Sequence, residues 1–258
     1  MSSLVIAIAQ PATRDLDIQA NTETHIQLIK QASLLGSDLV LFPELSLTGY
    51  VLPKLKHLAM AQDDAVLGKL SSVAQTQDID IIVGCPLQVQ GEKPAIGAAY
   101  LSKHGHVLHY HKQYLHQGES EWCCSGDNDF MFEIKGIKIA LAICADFCHA
   151  QHATDAMNLG AQLYLVSALI SPAGYEGDAS ILSDIAKSHQ VPVVLSNHAG
   201  ETGGWQCAGK SAFWNAQGVQ VTAADSDRQG LLIVRFDGQA VNTMPIGDEN
   251  TVTSTQIG

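Results

Sequence analysis

Three side chains in this sequence stand where an apolar, strand-like run gives way to a short polar segment, and each has the chemistry of a catalyst. In Leu39-Val-Leu-Phe-Pro-Glu44 the run stops at Pro43 and delivers a carboxylate. Apolar neighbours raise the pKa of such a carboxyl and fit it for general-base work, although the same Glu could cap a helix or sit in a salt bridge. Ala140-Leu-Ala-Ile-Cys144-Ala-Asp146 ends a second run in a thiol. That thiol is either a nucleophile presented to a cleft beside backbone N–H groups or a small buried hydrophobe. Tyr110-His-Lys112-Gln-Tyr-Leu-His116-Gln-Gly-Glu119 supplies an ammonium that would ordinarily be a solvated surface charge. Strand ends are where open α/β sheets gather their active sites, so the three share a layout as well as reactive side chains.

The elements that must position them follow from hydrophobic periodicity. Residues 4–8 read as a buried strand, 18–35 as an amphipathic helix closed by Gly36, 38–42 as a second strand, 57–77 as a helix and 79–84 as a third strand. That β-α-β-α-β order favours a sheet covered by helices. Residues 98–101 and 106–109 flank Lys103-His-Gly105, a turn signal, and form a hairpin. Apolar runs at 137–143, 162–166 and 192–196 are further buried strands, separated by helices at 150–159 and 178–189. Strands at 211–214, 218–222 and 231–235 close the series. With no linker, repeat or low-complexity tract, the reading is a single α/β domain over 1–258, with its core at about 3–236. The polar tail at 247–258 is read as a loose end or an oligomer arm.

Composition narrows the partners. Apolar side chains make up 46% of the 258 residues, enough for one large core. A formal net charge of −12 without any run of Lys and Arg argues against a nucleic-acid or anionic-membrane surface, and leaves small molecules or further copies of the chain. The first apolar run lacks a basic flank and passes directly to Pro11, so it is a strand rather than a signal peptide, and no stretch has membrane-spanning length. Cysteines 85, 123, 124, 144, 148 and 207, without an export signal, are expected as reduced thiols in the cytoplasm. Neither Cys123-Cys124 nor the spacing of Cys144 and Cys148 is the C-x2-C knuckle of structural zinc. His104, His106, His109 and His111 cannot all converge in a hairpin, because the two pairs have opposite parity. Neither a metal nor an organic cofactor is expected. A redox protein using Cys144 and Cys148 is a rival reading that a thiol count and a metal analysis would separate.

The order and surroundings of Glu44, Lys112 and Cys144 resemble the nitrilase, or carbon–nitrogen hydrolase, superfamily. Phe42-Pro-Glu-Leu-Ser-Leu-Thr-Gly-Tyr50 resembles its glutamate motif, Tyr110-x-Lys112-x-x-Leu115 its lysine motif and Ile143-Cys144-Ala-Asp146 its cysteine motif. Glu119, seven residues before Gly126, sits like the family's accessory glutamate. Leu159-Gly-Ala161, Ser196-Asn197 with Gly200, and Gly209-Lys-Ser-Ala-Phe-Trp214 with Gly218 resemble later landmarks, so the similarity covers roughly residues 3 to 236. Ala145 and Phe147-Cys-His149 depart from the aromatic residue after the cysteine and the Arg-aromatic-Pro-Glu stretch common in the family. That departure bears on substrate preference and leaves the three motif residues intact.

The resemblance implies a four-layer α-β-β-α sandwich of two mixed sheets with outer helices, assembled as a homodimer or higher homo-oligomer. It also implies hydrolysis of a small linear amide to an acid and ammonia. In the implied cycle Glu44 takes the Cys144 proton, the thiolate attacks the carbonyl, and the Lys112 ammonium and the Ala145 backbone N–H hold the oxyanion. Glu119 would hold Lys112 or orient the substrate nitrogen, with Glu121 pointing elsewhere in an extended segment, and Tyr50 would line the pocket or pack. His116 and His149 either bond substrate or satisfy core groups. N-carbamoyl hydrolysis and glutaminase-type ammonia release are alternatives within this chemistry. A fused ammonia-consuming synthetase domain is not expected, which leaves room for such a partner in trans. A non-catalytic binding protein on the same fold is the alternative of another class. Arg14, Arg228 and Arg235 lie outside the motifs, so a clamp for a substrate carboxylate is not evident, and loops 51–57 and 168–176 are expected to shape the pocket.

Overall fold

The computed structural model describes residues 3–226, 228–236 and 241–245. In chain order the elements of its first half are β1 (Leu4–Gln10), α1 (Ile18–Leu34), β2 (Leu39–Leu41), α2 (Leu55–Leu58), α3 (Ala65–Gln77), β3 (Asp80–Leu87), β4 (Ala95–Leu101) and β5 (Val107–His111). The second half runs β6 (Met131–Ile134), β7 (Ile137–Ile143), α4 (Ala150–Asn158), β8 (Leu163–Ser167), α5 (Tyr175–His189), β9 (Val193–Ser196) and β10 (Glu201–Thr202). It ends with β11 (Trp205–Gln206), β12 (Ala212–Trp214), β13 (Gln220–Ala223), β14 (Gly230–Phe236) and β15 (Val241–Pro245). One sheet has the order β15-β14-β1-β2-β3-β4-β5, the other β13-β12-β9-β8-β7-β6, and β10–β11 is a separate two-stranded ribbon. Both large sheets are mixed: β1–β2–β3 and β7–β8–β9 run parallel, and their flanking strands antiparallel.

Period-two alternation decides which core each strand side chain enters. Leu4, Ile6 and Ile8 of β1 meet Leu141 and Ile143 of β7 and Leu163 and Leu165 of β8 in a middle layer between the sheets. The alternate residues Val5, Ala7 and Ala9 pack outward with Ile29 and Ala32 of α1 and Leu67 and Leu70 of α3. On the far side Ala140, Ala142, Tyr164 and Val166 pack with Ala153 of α4 and Leu182 and Ala186 of α5. Strands apolar on both faces are what such double coverage requires, and the result is the expected four-layer α-β-β-α sandwich.

The elements differ from the sequence reading in four main places, one of them the unanticipated β10–β11 ribbon. The helix expected over 57–77 is two pieces, because Asp64 caps α3 by accepting the Val66 N–H at 2.8 Å and Met60 bridges to Leu87 in extended form. Strand β6, not anticipated, pairs antiparallel with β7 through a turn at Lys135-Gly136, both at positive φ. Strand β15, also not anticipated, adds an edge to β14 beyond the expected core. The tail at 247–258 lies outside the described residues.

Side-chain hydroxyls tie the sheets together at the parallel strands' carboxyl ends. Ser167 Oγ of β8 donates to Phe42 O at 2.9 Å, and Ser196 Oγ of β9 donates to Ala9 O at 2.7 Å. The turn after Phe42 is seated against β3 at Gly84, where a Cβ would overlap Pro43 O and Leu45 N. Only glycine leaves room for that backbone approach. Gly84→Ala is therefore expected to destabilise the fold by about 1–3 kcal/mol, the scale of overpacking in a close-packed core. Urea unfolding would read this, and an unchanged midpoint would show that the turn is free to shift.

Candidate active site

Each candidate residue sits where a strand ends. Leu39–Leu41 passes through Phe42, whose N–H still donates to Ile82 O at 2.9 Å, and the chain then turns at Glu44 and Leu45. The turn is pinned from behind by His198, whose Nε2 lies 2.8 Å from Glu44 O, while its Nδ1 is 3.0 Å from Thr13 Oγ1. Burial pushes the His198 imidazole down to about 4, so the ring is neutral, with the proton on Nε2 facing the carbonyl. Lys112 follows β5 directly and extends its ladder, its N–H donating to Ile96 O at 2.9 Å. Glu119 opens a 3-10 turn, Glu119–Glu121, rather than the expected extended segment, and Glu121 is exposed while Glu119 is fully buried.

Lys112 Nζ lies 2.7 Å from Glu44 Oε1 and 2.8 Å from Glu119 Oε1, with all three side chains inaccessible to solvent. Glu119 also accepts from Tyr50 OH at 2.6 Å and from the His116 N–H at 2.7 Å. Glu44 lacks these two donors and faces the Cys144 thiol instead, and among the described residues its Oε2 is buried without a hydrogen-bond partner. One cation between two carboxylates cannot neutralise both. Burial, offset by Lys112 and reinforced by Glu119, accordingly pushes the Glu44 carboxyl up to about 7. Burial alone would lower the Lys112 ammonium, but Glu44, Cys144 and Glu119 outweigh it and hold the pKa above its ordinary range.

Cys144 begins a 3-10 turn, Cys144–Cys148, as β7 ends, and takes φ +44. A non-glycine residue there is strained by about 1–3 kcal/mol, which the surrounding packing must hold in place. Its Sγ is 3.6 Å from Leu169 O. Burial and the adjacent Glu44 raise its pKa well above the usual thiol value, so the resting group is a neutral thiol beside an acceptor carboxylate. Glu44, Tyr50, Cys144 and Ala145 line one cavity of about 290 Å³, whereas Lys112 and Glu119 lie buried behind its wall. A larger cavity of about 580 Å³, walled in part by Asp80, Tyr100 and Phe132, contains none of these residues.

The structure also brings in residues the sequence reading did not single out. Asp146 accepts from Ile143 N–H at 2.9 Å and Tyr110 OH at 2.7 Å on one oxygen, and from Gln113 N–H at 3.0 Å and Tyr114 N–H at 2.8 Å on the other. It thereby ties the Cys144 turn to the segment after Lys112. Tyr110 is linked onward to His152, at 2.9 Å, and His152 to Tyr164 at 2.7 Å. Asn197 clamps the Leu169–Ser171 wall, accepting from Ile170 N–H at 2.9 Å and donating to Ile170 O at 3.1 Å. Loop 168–176 does line the cavity through Leu169, Ile170, Ser171 and Gly174, while among the described residues 51–57 do not. His116, Phe147, Cys148 and the unanticipated Asp178 and Trp205 complete the wall, and His149 is exposed and stacked on Tyr114 at 4.0 Å. Among the described residues no group of three or more His, Cys, Asp or Glu side chains is placed to hold a metal, and no helix is long and apolar enough to cross a membrane.

Two mixed sheets between helical layers, with a strained cysteine and a glutamate opening on one cavity, define a nitrilase-like α/β fold. The chain belongs to the carbon-nitrogen hydrolase family, whose model matches residues 5–245. Its structure superposes on a mutant amidase from Nesterenkonia sp. AN1 in complex with butyramide with a TM-score of 0.84, at 26% identity over 90% of each chain. Another form of that amidase, at TM-score 0.83 and 26% identity over 89% of this chain and 92% of its own, carries acrylamide added to its active-site cysteine. In sequence the chain is 24% identical to a nitrilase from Pyrococcus abyssi over 96% of this chain and 95% of that protein. It is 25% identical to a glutamine-dependent NAD(+) synthetase from Acinetobacter baylyi over 92% of this chain but 45% of the synthetase, so it spans about half the length of that relative.

Asp146→Asn keeps the size of the side chain but offers one acceptor oxygen for donors that now use two. Hydrogen bonds to charged groups are worth about 1.5–3 kcal/mol each, so a loss of at least about 1.5 kcal/mol in unfolding free energy is expected. Equilibrium denaturation checks it, and a wild-type midpoint would remove Asp146 as the tie between the two segments.

Proposed function

We propose that this protein hydrolyses a small amide to a carboxylic acid and ammonia through a thioester on Cys144. The observation that carries this reading is that Cys144 and Glu44, the latter a carboxyl held near neutrality, line the same small cavity. In the first half-reaction Glu44 takes the thiol proton as sulfur bonds to the amide carbon. The oxyanion is stabilised by the positive charge of Lys112 and by the Ala145 backbone N–H. The C–N bond then breaks, Glu44 returns the proton to nitrogen, and ammonia leaves. In the second half-reaction Glu44 removes a proton from water, hydroxide adds to the thioester, and the C–S bond breaks to give the acid and the thiol. Glu119 holds Lys112 in place, and Tyr50 and the His116 N–H hold Glu119. Amidase and nitrilase relatives support the reaction class. A glutaminase-type role is favoured by the synthetase relative, but the cavity wall offers no Arg or Lys for an α-carboxylate.

The division of labour is testable with a reactive ester, whose leaving group needs little protonation. Glu44→Gln should still be acylated by such an ester and accumulate a thioester mass on Cys144, because deacylation lacks its base. Lys112→Ala should acylate more slowly. Full turnover by Glu44→Gln, or an adduct on another residue in intact-protein mass spectrometry, would overturn the mechanism.

The pH profile follows from the same carboxyl. Glu44 must be ionised to accept the proton, and its pKa is raised, so activity is present above the raised value and lost as pH falls through it. The acid limb of kcat/KM for an amide should therefore centre near the value of about 7 that burial imposes. A limb centred at the ordinary carboxyl value of about 4.3 would count against Glu44 as the base.

A further inference from the structure

Among the described residues the cavity wall carries one carboxylate besides Glu44, Asp178 in the first turn of α5. Its backbone is helical, its N–H donating to Gly174 O at 3.0 Å, but among the described residues its side chain makes no hydrogen bond, and only the helix N-terminus at Gly174 and the His116 side chain offset its charge. Burial raises its carboxyl above the ordinary range, and nearby His116, itself part of the wall, draws it partly back. A half-buried carboxylate without a hydrogen bond beside a binding cavity, offset only by a helix N-terminus and a nearby imidazole, gains from a positive group that meets it. The rest of the wall favours a cation as well. Trp205 from the β10–β11 ribbon lines the same cavity with 48% of its surface exposed, and an indole face attracts ammonium groups. Neither Lys nor Arg lines the cavity, and the ammonium behind it, Lys112, is already shared by two carboxylates. An anionic substrate tail would meet Asp178 with no compensating charge.

We propose that Asp178 is a specificity-determining residue that pairs with a protonated amine at the far end of the substrate, so that this site takes amino amides in preference to amides bearing a carboxylate. This rests on the amide-hydrolase reading for its chemistry, while the charge preference belongs to the cavity itself. The wall then sorts substrates by sign: amine-bearing first, neutral next, carboxylate-bearing last.

Three matched series test this: amides of the ω-amino acids from glycine to 5-aminopentanoate, neutral alkyl amides of the same length, and the monoamides of dicarboxylic acids. At the chain length that reaches Asp178, kcat/KM should favour the amine over its neutral match by tenfold or more and over the carboxylate by a larger factor. Asp178→Asn, with Asp178→Ser should the first fail to fold, should bring the amine-to-neutral ratio close to one. No amine preference at any length, or a preference that survives both substitutions, would overturn the assignment. A second measurement does not need turnover: the rate of Cys144 alkylation by cationic 2-bromoethylamine relative to neutral iodoacetamide. That ratio should fall about tenfold in Asp178→Asn. If no amide is hydrolysed but the alkylation ratio falls, the hydrolase reading fails and the amine site stands. If amides are hydrolysed and neither the amine preference at any length nor the alkylation ratio depends on Asp178, the amine site fails alone.

Discussion

A single ammonium between two carboxylates, with all three side chains shut off from water, is the interaction on which the rest of this molecule turns. Bringing Lys112, Glu44 and Glu119 out of solvent is expensive, and such a cluster survives only where each charge is met at close range. The donors are divided unequally. Glu119 takes the phenol of Tyr50, a backbone N–H and the ammonium, while Glu44 takes the ammonium alone. That inequality leaves one carboxyl oxygen unpaired and sets its proton affinity near neutrality, next to a thiol that burial keeps protonated. The raised proton affinity of Glu44 follows from burial and from the uneven sharing of one positive charge.

The sandwich exists, from the site's point of view, to join two halves that the chain builds separately. The glutamate and lysine stand at strand ends of one sheet and the cysteine at a strand end of the other. Apolar packing in the middle layer brings the sheets together without fixing their offset, since burial is not directional. Directional bonds supply the offset. Ser167 and Ser196 reach across to backbone carbonyls of the seven-stranded sheet, and Asp146 draws the segment after Lys112 onto the Cys144 turn. The absence of a side chain at Gly84 lets the glutamate turn sit close enough to take part.

Most of this was legible in the sequence where the signal is local. Runs such as residues 137–143 announce strands covered on both faces, and the motif residues stand beside them. Strand β6 escaped because four residues of alternating character between Asp127-Asn-Asp129 and Lys135-Gly136 gain their structure from pairing with β7, not from their own pattern. The break before α3 was missed because Asp64 competes locally as a cap inside a helix-compatible stretch. Asp146 was visible as a motif letter, but its role depends on donors more than thirty positions away, which no spacing rule exposes. Asp178 and Trp205 join the wall from segments with no sequence relation to each other or to the motifs.

The origin of those wall residues separates two kinds of change open to the molecule. Trp205 lies on a two-stranded ribbon that belongs to neither large sheet, and Ser171 and Gly174 lie in the connection ahead of α5. Their side chains take no part in the hydroxyl bridges or carboxylate contacts that set the sheets' offset. Exchange of the Trp205 or Ser171 side chain can thus remodel what the cavity admits while Glu44, Lys112 and Cys144 keep their spacing. The rim is a place where single side chains can be exchanged, on a backbone that the buried cluster holds still through Tyr50 and Thr202.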